Sequence, residues 1–280
     1  MLSINTNLNA NQAATQIGRS NQAVQASSEK LTTGMRINKA ADDVSGAALA
    51  NRLANNSAKT AQFIKNANDG VNMIQAADNA IKQQQDLVAR MQELAYKAEN
   101  GTNTVADTTL IQKEFDQLAK EIVRNEKGAE FNGKKILDGS LNAAINVGTG
   151  TENQVSVVVS ATGTARTDIV DDSGTVAIKL TGHADGDAWK TDVHDKLQAL
   201  ADKYNSDRAD LGASQNRLEF TTKNLEGTKQ NIDSTLSAAQ DTDFATETAE
   251  LAKAKVLAKT SQTMLSQANK SVEEVTSLLQ

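Results

Sequence analysis

Residues 53–88 read LANNSAKTAQFIKNANDGVNMIQAADNAIKQQQDLV, and this stretch decides the fold. Its apolar residues recur every three or four positions, or at multiples of that spacing, which places them on one stripe of an α-helix. A helix over residues 53–95 would be roughly 65 Å long at about 1.5 Å per residue. The apolar members of the stripe are Leu53, Ile64, Val71, Ile74, Ile81 and Val88.

The same spacing recurs in the second half of the chain. The register over residues 193–239 predicts a helix of similar length, and shorter registers over 10–35, 111–122 and 251–279 predict three more. The sequence contains no proline, which favours long uninterrupted helices. Two rods of matching length, one from each half, predict an antiparallel pair. The residues predicted to pack in the rods are Ile64, Val71, Ile74, Ile81, Leu197, Leu211, Leu218, Leu225 and Ile232.

Glycines mark a different kind of segment in the middle of the chain. Nine of the 16 glycines lie between residues 128 and 186, and the β-branched runs 155–159 and 175–180 lie among them. Such runs between glycines predict strands and turns. The predicted fold is therefore mainly α, with long antiparallel helical rods that resemble a coiled-coil bundle and a small β insert.

The two ends of the chain differ from the rods. Their stripes contain alanine, serine and asparagine, and residues 1–28 carry one charged side chain, Arg19. Little apolar area is available there to offset about 1–2 kcal/mol of backbone entropy per residue. We expect both ends to be poorly ordered in an isolated monomer and to fold when copies pack together. The alternative is a pair of ordinary surface helices with a polar face.

Charge favours pairing of the two ends. Residues 1–40 carry four basic side chains against one acidic one, whereas residues 241–280 carry four lysines against six acidic side chains. The attraction is modest, because exposed pairs contribute only about 0–1 kcal/mol each.

Several long motifs resemble the bacterial flagellin family. The resemblance covers roughly residues 1–140 and 193–280, leaving the β insert unmatched. A departure lies in residues 232–240, which contain no arginine where many flagellins have several. The matching motifs include SEKLTTGMRINKAADD (28–43), NANDG (66–70), FNGKKIL (131–137), LGASQNRLE (211–219) and DTDFATE (241–247).

The resemblance implies a structural subunit that self-polymerises into the extracellular flagellar filament for motility. It also implies export through the flagellar secretion channel without a cleavable signal peptide. The implied partners are other copies of the chain, the export machinery and its chaperone, the filament cap and the hook-associated proteins. Terminal helices form the inner tube of such filaments. The residues then expected to pack in the inner tube are Ile17, Val24, Leu31, Leu251, Leu265, Val272, Val275 and Leu279.

The domain organisation follows from the registers and the resemblance together. Residues 1–44 and 241–280 are predicted to be the inner-tube helices. Residues 45–140 and 191–240 are predicted to form the rod domain, and residues 141–190 a small β-rich surface insert.

Residues 89–95 resemble the stretch that vertebrate innate immune receptors recognise in some flagellins. Arg90 and Leu94 match it, as does Glu114 on the neighbouring predicted helix. Because Arg90 and Leu94 are four residues apart, they lie on one face of the helix. That face is also expected to pack against the next subunit.

Composition and motifs argue against an enzyme or a cofactor. With no cysteine, thiol catalysis and thiolate metal sites are excluded. The run from His183 to Asp187 alternates possible metal ligands but lacks the later carboxylate of a calcium loop, so we expect a solvated turn. His194 is expected to be exposed, and neither histidine begins a zinc-protease motif. A net charge of −6 and a mean hydropathy of −0.47 favour neither nucleic acid nor membrane insertion.

Gly34 and Gly46 flank the step between the first two predicted helices. Glycine ends a helix at low steric cost, so we expect a bend there. Asp42 and Asp43 lie between the glycines and are predicted to cap the following helix.

Two other functions remain open from the sequence. A hook-associated junction protein of the flagellum would have similar helical ends but would not form long polymers. A secreted helical binding module would use its rods to hold a partner and would not self-polymerise.

Overall fold

The structure, a computed structural model, describes residues 7–137, 142–158, 166–181 and 190–278. It confirms the predicted fold class, which is mainly α with a small β insert in mid-chain. The long helices of the described chain are α1 (Leu8–Thr33), α2 (Val44–Glu99), α3 (Val105–Gly128), α4 (Asp195–Gln240) and α5 (Phe244–Leu278).

Helices α2 and α4 run antiparallel, as predicted for the rods. The Arg208 guanidinium Nε lies 2.7 Å from Asp78 Oδ1, and Gln85 donates to Asn205 Oδ1 at 2.7 Å. Residues that come later in α2 therefore face residues that come earlier in α4. The hydrogen bond to the Asp78 carboxylate, and then the negative charge of that carboxylate, raise the pKa of the Arg208 guanidinium, whereas burial lowers it.

Local side chains fix the ends of α1 and α3. Helix α1 begins where Asn7 Oδ1 accepts the Ala10 amide at 2.9 Å. It ends at Gly34, whose φ of 73° lies in the left-handed region that glycine adopts without strain, as the sequence predicts. Helix α3 begins with a capping box in which Thr104 and Asp107 each accept the other's backbone amide.

The step between α1 and α2 is only partly as predicted. Asp43 Oδ1 accepts the Gly46 amide at 2.9 Å and caps α2, whereas Asp42 Oδ2 accepts the amides of the preceding turn. Gly46 itself lies in the first turn of α2 and forms no bend. A Cβ there would lie 2.3 Å from Asp43 Oδ2 and 2.6 Å from Ile37 Cδ1, so close packing requires the glycine.

Two antiparallel hairpins follow α3. Strands β1 (Glu130–Phe131) and β2 (Lys134–Lys135) are joined by Asn132 and Gly133 with φ of 51° and 76°, which is a type I′ turn. The turn and β2 lie within the flagellin-like motif FNGKKIL (131–137). Strands β3 (Asn142–Asn146) and β4 (Gln154–Val158) pair along their full length. Strand β4 was predicted as 155–159, and Val159 lies outside the described residues.

The predicted strand over Thr175–Leu180 is wrong. Among the described residues, this segment makes one isolated bridge, from Val176 to Val170. The backbone of residues 178–180 is bound by the side chain of Gln112. Its Nε2 donates to the Ile178 carbonyl at 3.2 Å, and its Oε1 accepts a hydrogen bond from the Leu180 backbone amide. A glutamine of α3 thus takes the place of a neighbouring strand, which no β-propensity can reveal.

The chain forms two compact units. The terminal unit comprises Met1–Ala58 and Gln230–Gln280, and the central unit comprises Lys59–Lys229. Their limits fall inside α2 and α4 rather than at helix ends. The division into inner-tube helices, rod and insert stays a prediction.

The central unit holds a continuous apolar core. Phe115 of α3, Ile74 and Ile81 of α2 and Leu197 and Leu211 of α4 are at most 1% exposed. The insert was expected to be a surface addition. Part of it belongs to this core, because apolar side chains of the insert are buried there. These insert residues are Val147, Val155, Val157, Ile169, Val170, Ile178 and Leu180.

A buried ion pair anchors the insert to α3. Arg166 of the insert is 4% exposed, and its Nε lies 2.7 Å from Glu126 Oε2. The guanidinium also donates to the Val170 carbonyl at 3.1 Å and pairs with Asp172. Tyr204 of α4 lies nearby, and burial followed by the negative charge of Glu126 raises the pKa of its hydroxyl.

Candidate assembly surface

The terminal unit is built on the antiparallel pair of α1 and α5. Near one end of the pair, Asn7 Nδ2 donates to the Ala268 carbonyl at 2.9 Å. Near the other end, Lys30 Nζ lies 3.6 Å from Glu247 Oε2. The ion pair joins the basic amino-terminal segment to the acidic carboxyl-terminal one, in agreement with the pairing that their opposite charges favour.

The buried positions of this pair are small. Ser20 and Ser27 of α1 and Ala254 and Ser261 of α5 are each less than 9% exposed. Small side chains let two helices approach closely, since the interaxial distance depends on the residues at the contact. They also supply little apolar area to the contact.

The apolar residues predicted for the inner tube lie in the same three-and-four registers as these small residues. All six whose side chains are described are half-buried, so each keeps part of its surface for another contact. Val275 lies in α5 without a described side chain, and Leu279 lies outside the described residues. The six are Ile17, Val24, Leu31, Leu251, Leu265 and Val272.

A second apolar face was missed in the sequence. Val256 and Met264 of α5 are 64% and 61% exposed, and Phe244 at the start of the helix is 56% exposed. Val256 and Met264 lie outside the three-and-four register that follows Leu251, so a search for a single stripe discards them, whereas Phe244 lies on that stripe, before Leu251. Their presence shows that α5 is apolar on more than one face.

A shallow groove of about 550 Å³ runs between α1 and α5. It is lined mostly by amide and hydroxyl side chains, which can donate and accept hydrogen bonds without carrying charge. The lining residues are Asn9, Gln12, Ala13, Gln16, Thr260, Ser261, Met264, Gln267, Ala268 and Ser271.

Two backbone hydrogen bonds close the far end of the pair. The Arg36 amide donates to the Gln240 carbonyl at 2.7 Å, and the Thr242 amide donates to the Gly34 carbonyl at 2.9 Å. They form an antiparallel bridge between Met35 and Asp241. The Arg36 guanidinium adds a bond to the Ala239 carbonyl at 2.7 Å.

The residues predicted for the rods are more deeply buried than those of the terminal pair. Ile74, Ile81, Leu197, Leu211 and Leu218 are buried in the central core. The others, which are half-buried, are Ile64, Val71, Leu225 and Ile232.

The structure brings together two of the three residues that resemble a receptor-binding stretch. Arg90 donates to Glu114 at 2.7 and 3.1 Å and to Glu93 at 2.8 Å, and all three side chains are well exposed. The bonds to Glu114, and then those to Glu93, raise the pKa of the guanidinium. Leu94 is 1% exposed and lies in the central core, so it does not share a surface with Arg90.

His194 was predicted to be exposed, and this is wrong. Its ring stacks on Tyr96 with 4.4 Å between centroids, and its Nε2 lies 3.0 Å from Glu99 Oε2. The side chain is 17% exposed as a result. The aromatic partner lies on another helix, where sequence spacing does not indicate it.

Metal and membrane features are absent from the part of the chain that the structure describes. No group of three or more histidine and acidic side chains there could hold a metal ion. The run from His183 to Asp187 lies outside the described residues. No described helix combines the length and the apolar character needed to cross a membrane.

Comparison with known proteins decides the family. Residues 4–142 match the bacterial flagellin N-terminal helical region, and residues 195–279 match the bacterial flagellin C-terminal helical region. The chain is also 33% identical over 301 residues to a flagellin of Bacillus subtilis, with 99% of each protein covered. The chain belongs to the bacterial flagellin family.

Other flagellar proteins are also similar to this chain. The flagellar filament 33 kDa core protein of Treponema phagedenis is 33% identical over 290 residues, with 99% of each protein covered. A solved structure of Bacillus cereus flagellin is 26% identical and covers 57% of this chain and 88% of its own, with a TM-score of 0.49. The flagellin matches leave residues 143–194 between them, which include most of the insert predicted to be unmatched.

Proposed function

We propose that copies of this flagellin self-polymerise into the flagellar filament through the terminal unit. The observation that carries the proposal is the set of half-buried apolar residues of the α1–α5 pair, beside the exposed residues Val256 and Met264. Apolar area of this kind stabilises an assembly by about 25 cal/mol for each Å² removed from water. This stabilisation is gained only when another copy covers the apolar surface.

The polar groove supports the same proposal. Its glutamine and asparagine side chains can bond to backbone or amide groups of a neighbouring copy without the desolvation cost of a full charge. A helical polymer repeats each such contact in every subunit. Weak contacts then add up to a stable filament, while a free subunit remains soluble.

The proposal has further parts that follow from family membership. The chain would be exported through the flagellar secretion channel with the help of a chaperone, without a cleavable signal peptide, and would assemble outside the cell. Cap and hook-associated proteins would meet the two ends of the filament. The role is structural and involves no catalysis. The junction-protein and binding-module alternatives are not favoured, because the relatives named above are flagellins and a filament core protein.

An innate immune receptor would meet a different part of the molecule. The exposed Arg90, Glu93 and Glu114 cluster offers it alternating charges on two neighbouring helices. Leu94 would contribute by supporting the helix from within. Arg90→Ala should therefore weaken receptor binding, whereas Leu94→Ala should chiefly lower the stability of the monomer.

Seeded growth tests the assembly proposal. Leu265→Asp places a charge at a half-buried position of α5, and burial of an unpaired charge in a polymer costs several kcal/mol. Purified monomer of this variant should not elongate filament fragments, whereas the helicity of the central unit should be unchanged. Asn269→Asp is the matched control, because it adds the same charge to an exposed position of the same helix.

Normal elongation by Leu265→Asp would contradict the proposed role of the terminal unit. Limited proteolysis supplies an independent measurement. We expect brief protease treatment to remove residues 1–40 and 241–280 from the monomer but not from the filament. Equal protection of these segments in both states would mean that the terminal unit is stable without neighbours.

A further inference from the structure

The chain contains two Asn-Gly steps, Asn100-Gly101 and Asn132-Gly133. An Asn-Gly step is where a chain can deamidate spontaneously, because glycine has no Cβ to shield its backbone nitrogen. In an unfolded chain the two steps would differ little. In the folded protein they are held in different backbone geometries.

Asn132 is held away from reaction by its turn. Its φ of 51° and that of Gly133, 76°, belong to a type I′ turn, in which ψ of the first central residue is also small and positive. In that conformation the Asn132 Cβ is nearly trans to the Gly133 nitrogen across the Cα–C bond. The side-chain carbon cannot approach that nitrogen until the β1–β2 hairpin opens.

Asn100 lies in a loop and not in a hairpin turn. It follows the last residue of α2 in an exposed loop, and its Oδ1 accepts the Thr102 amide at 3.2 Å and the Thr102 hydroxyl at 3.1 Å. The hydrogen-bonded ring closed by the Thr102 amide contains the Gly101 nitrogen. The side-chain carbonyl and the nitrogen that would attack it are therefore held within one hydrogen-bonded ring.

The same two donors assist the chemistry. Attack of the Gly101 nitrogen on Asn100 Cγ makes a tetrahedral centre whose negative charge develops on Oδ1. Thr102 donates two hydrogen bonds to that atom and stabilises the charge as it forms. A Cβ built on Gly101 meets no atom within 4 Å, so water and hydroxide can reach the step.

We propose that Asn100 is a spontaneous deamidation site of this protein and that the hairpin protects Asn132. The Gly101 nitrogen gives its proton to solvent base and forms a bond to Cγ, and the side-chain amide leaves as ammonia after taking a proton from water. Water then opens the succinimide at either carbonyl, which leaves aspartate or isoaspartate at position 100. Each product adds a negative charge beside Glu99, at the carboxyl-terminal end of α2, where the helix dipole disfavours it.

Peptide mapping tests the proposal on the intact chain. Purified full-length protein is held at mildly alkaline pH and physiological temperature, and samples are cleaved with trypsin over several weeks. Asn100 and Asn132 lie in different peptides, spanning residues 98–113 and 128–134. Mass spectrometry should find conversion of amide to carboxyl several-fold faster in the first peptide than in the second. Isoaspartate should exceed aspartate in that peptide if the product comes from the succinimide.

Two further samples make the result decisive. In denaturant the two peptides should convert at similar rates, because the difference comes from the fold. Thr102→Val removes the hydroxyl donor and should slow conversion at Asn100 while leaving Asn132 unchanged. Equal rates in the folded protein, or faster conversion at Asn132, would overturn the proposal.

Discussion

The terminal and central units use similar long antiparallel helices but bury different side chains. In the central unit, residues such as Phe115, Leu197 and Leu211 are at most 1% exposed and form one continuous core. In the terminal unit, the buried positions of the α1–α5 pair are Ser20, Ser27, Ala254 and Ser261. Complete burial of a leucine stabilises a fold by about 1.5–3 kcal/mol, and burial of a serine contributes no comparable amount.

Because of this difference, we expect the two units to differ in how far their folding depends on contacts with other copies. The central unit contains enough buried apolar surface to fold by itself. The terminal unit leaves its larger apolar side chains half-covered and depends on neighbouring copies for the remainder. Under the proposed function, we expect the terminal unit to become fully ordered on assembly.

The largest expected contrast comes from making the same truncation in each unit. Leu211→Ala removes a side chain that is 1% exposed, and it should lower the free energy of unfolding by about 2–5 kcal/mol. Leu265→Ala should leave unfolding of the monomer in urea almost unchanged but should slow seeded polymerisation. Circular dichroism and pelleting measure the two effects. Equal destabilisation of the monomer by both variants would show that the terminal unit has a core of its own.

The second expected effect concerns the buried ion pair of the central unit. Arg166→Met leaves Glu126 buried without its cation and should cost about 3 kcal/mol, the lower end for a broken buried pair. Adding Glu126→Leu should recover much of the loss, because no unpaired charge is then buried. Arg124→Met is the matched control, since the Arg124 side chain is 71% exposed and its pair with Glu121 is a surface pair. A similar loss from both single variants would mean that burial of Arg166 is not what matters.

A smaller effect is expected at the start of α3. Thr104→Ala removes the hydroxyl that accepts the Asp107 amide, and loss of such a cap typically costs about 1 kcal/mol. Thermal unfolding of the central unit should report this change, whereas protease sensitivity of residues 241–280 should not. Thr104→Ser should retain the cap and the stability of the parent chain.

The smallest effect is a pH dependence of the helix starts in the terminal unit. The pKa of Asp243 lies below its ordinary 3.8, chiefly because the Thr246 hydroxyl and then the Ala245 amide bind its carboxylate. Asp43 has a lowered pKa because it binds the Gly46 amide and the Ser45 hydroxyl. Because both folded pKa values are depressed, the stabilisation is present above pH 3.8 and is lost as pH falls through the folded values.

Hydrogen exchange on acidification can check this dependence. Amides at the starts of α2 and α5 should lose protection before those of the core helices around Phe115, because the central core holds its helices without the caps. Asp243→Asn keeps a capping side chain but cannot titrate in this range, and it should remove the dependence at α5. Simultaneous loss of protection in both units would contradict the comparison.

Much of this architecture could be predicted because helical periodicity is local. The spacing from Leu53 to Val88 indicated helix α2, and Gly34 indicated the end of helix α1. Neither inference needed knowledge of what the helices pack against. Several missed features depend on residues distant in sequence. The Gln112 side chain binds the backbone of residues 178–180 where a neighbouring strand would, and Arg166 of the insert pairs with Glu126 of α3. A pattern shows which face is apolar but not what covers it, which is why Leu94 was placed on a surface and lies in the core.

The bridge between Met35 and Asp241 gives the terminal helices a mechanical property. Backbone bonds from Arg36 to Gln240 and from Thr242 to Gly34 clamp two chain segments at the level where both leave their helices. Helices α1 and α5 cannot slide along each other at that level without breaking both bonds. Tension on α5 is transmitted through the clamp to the end of α1, so the two ends of the chain bear load as a single strut.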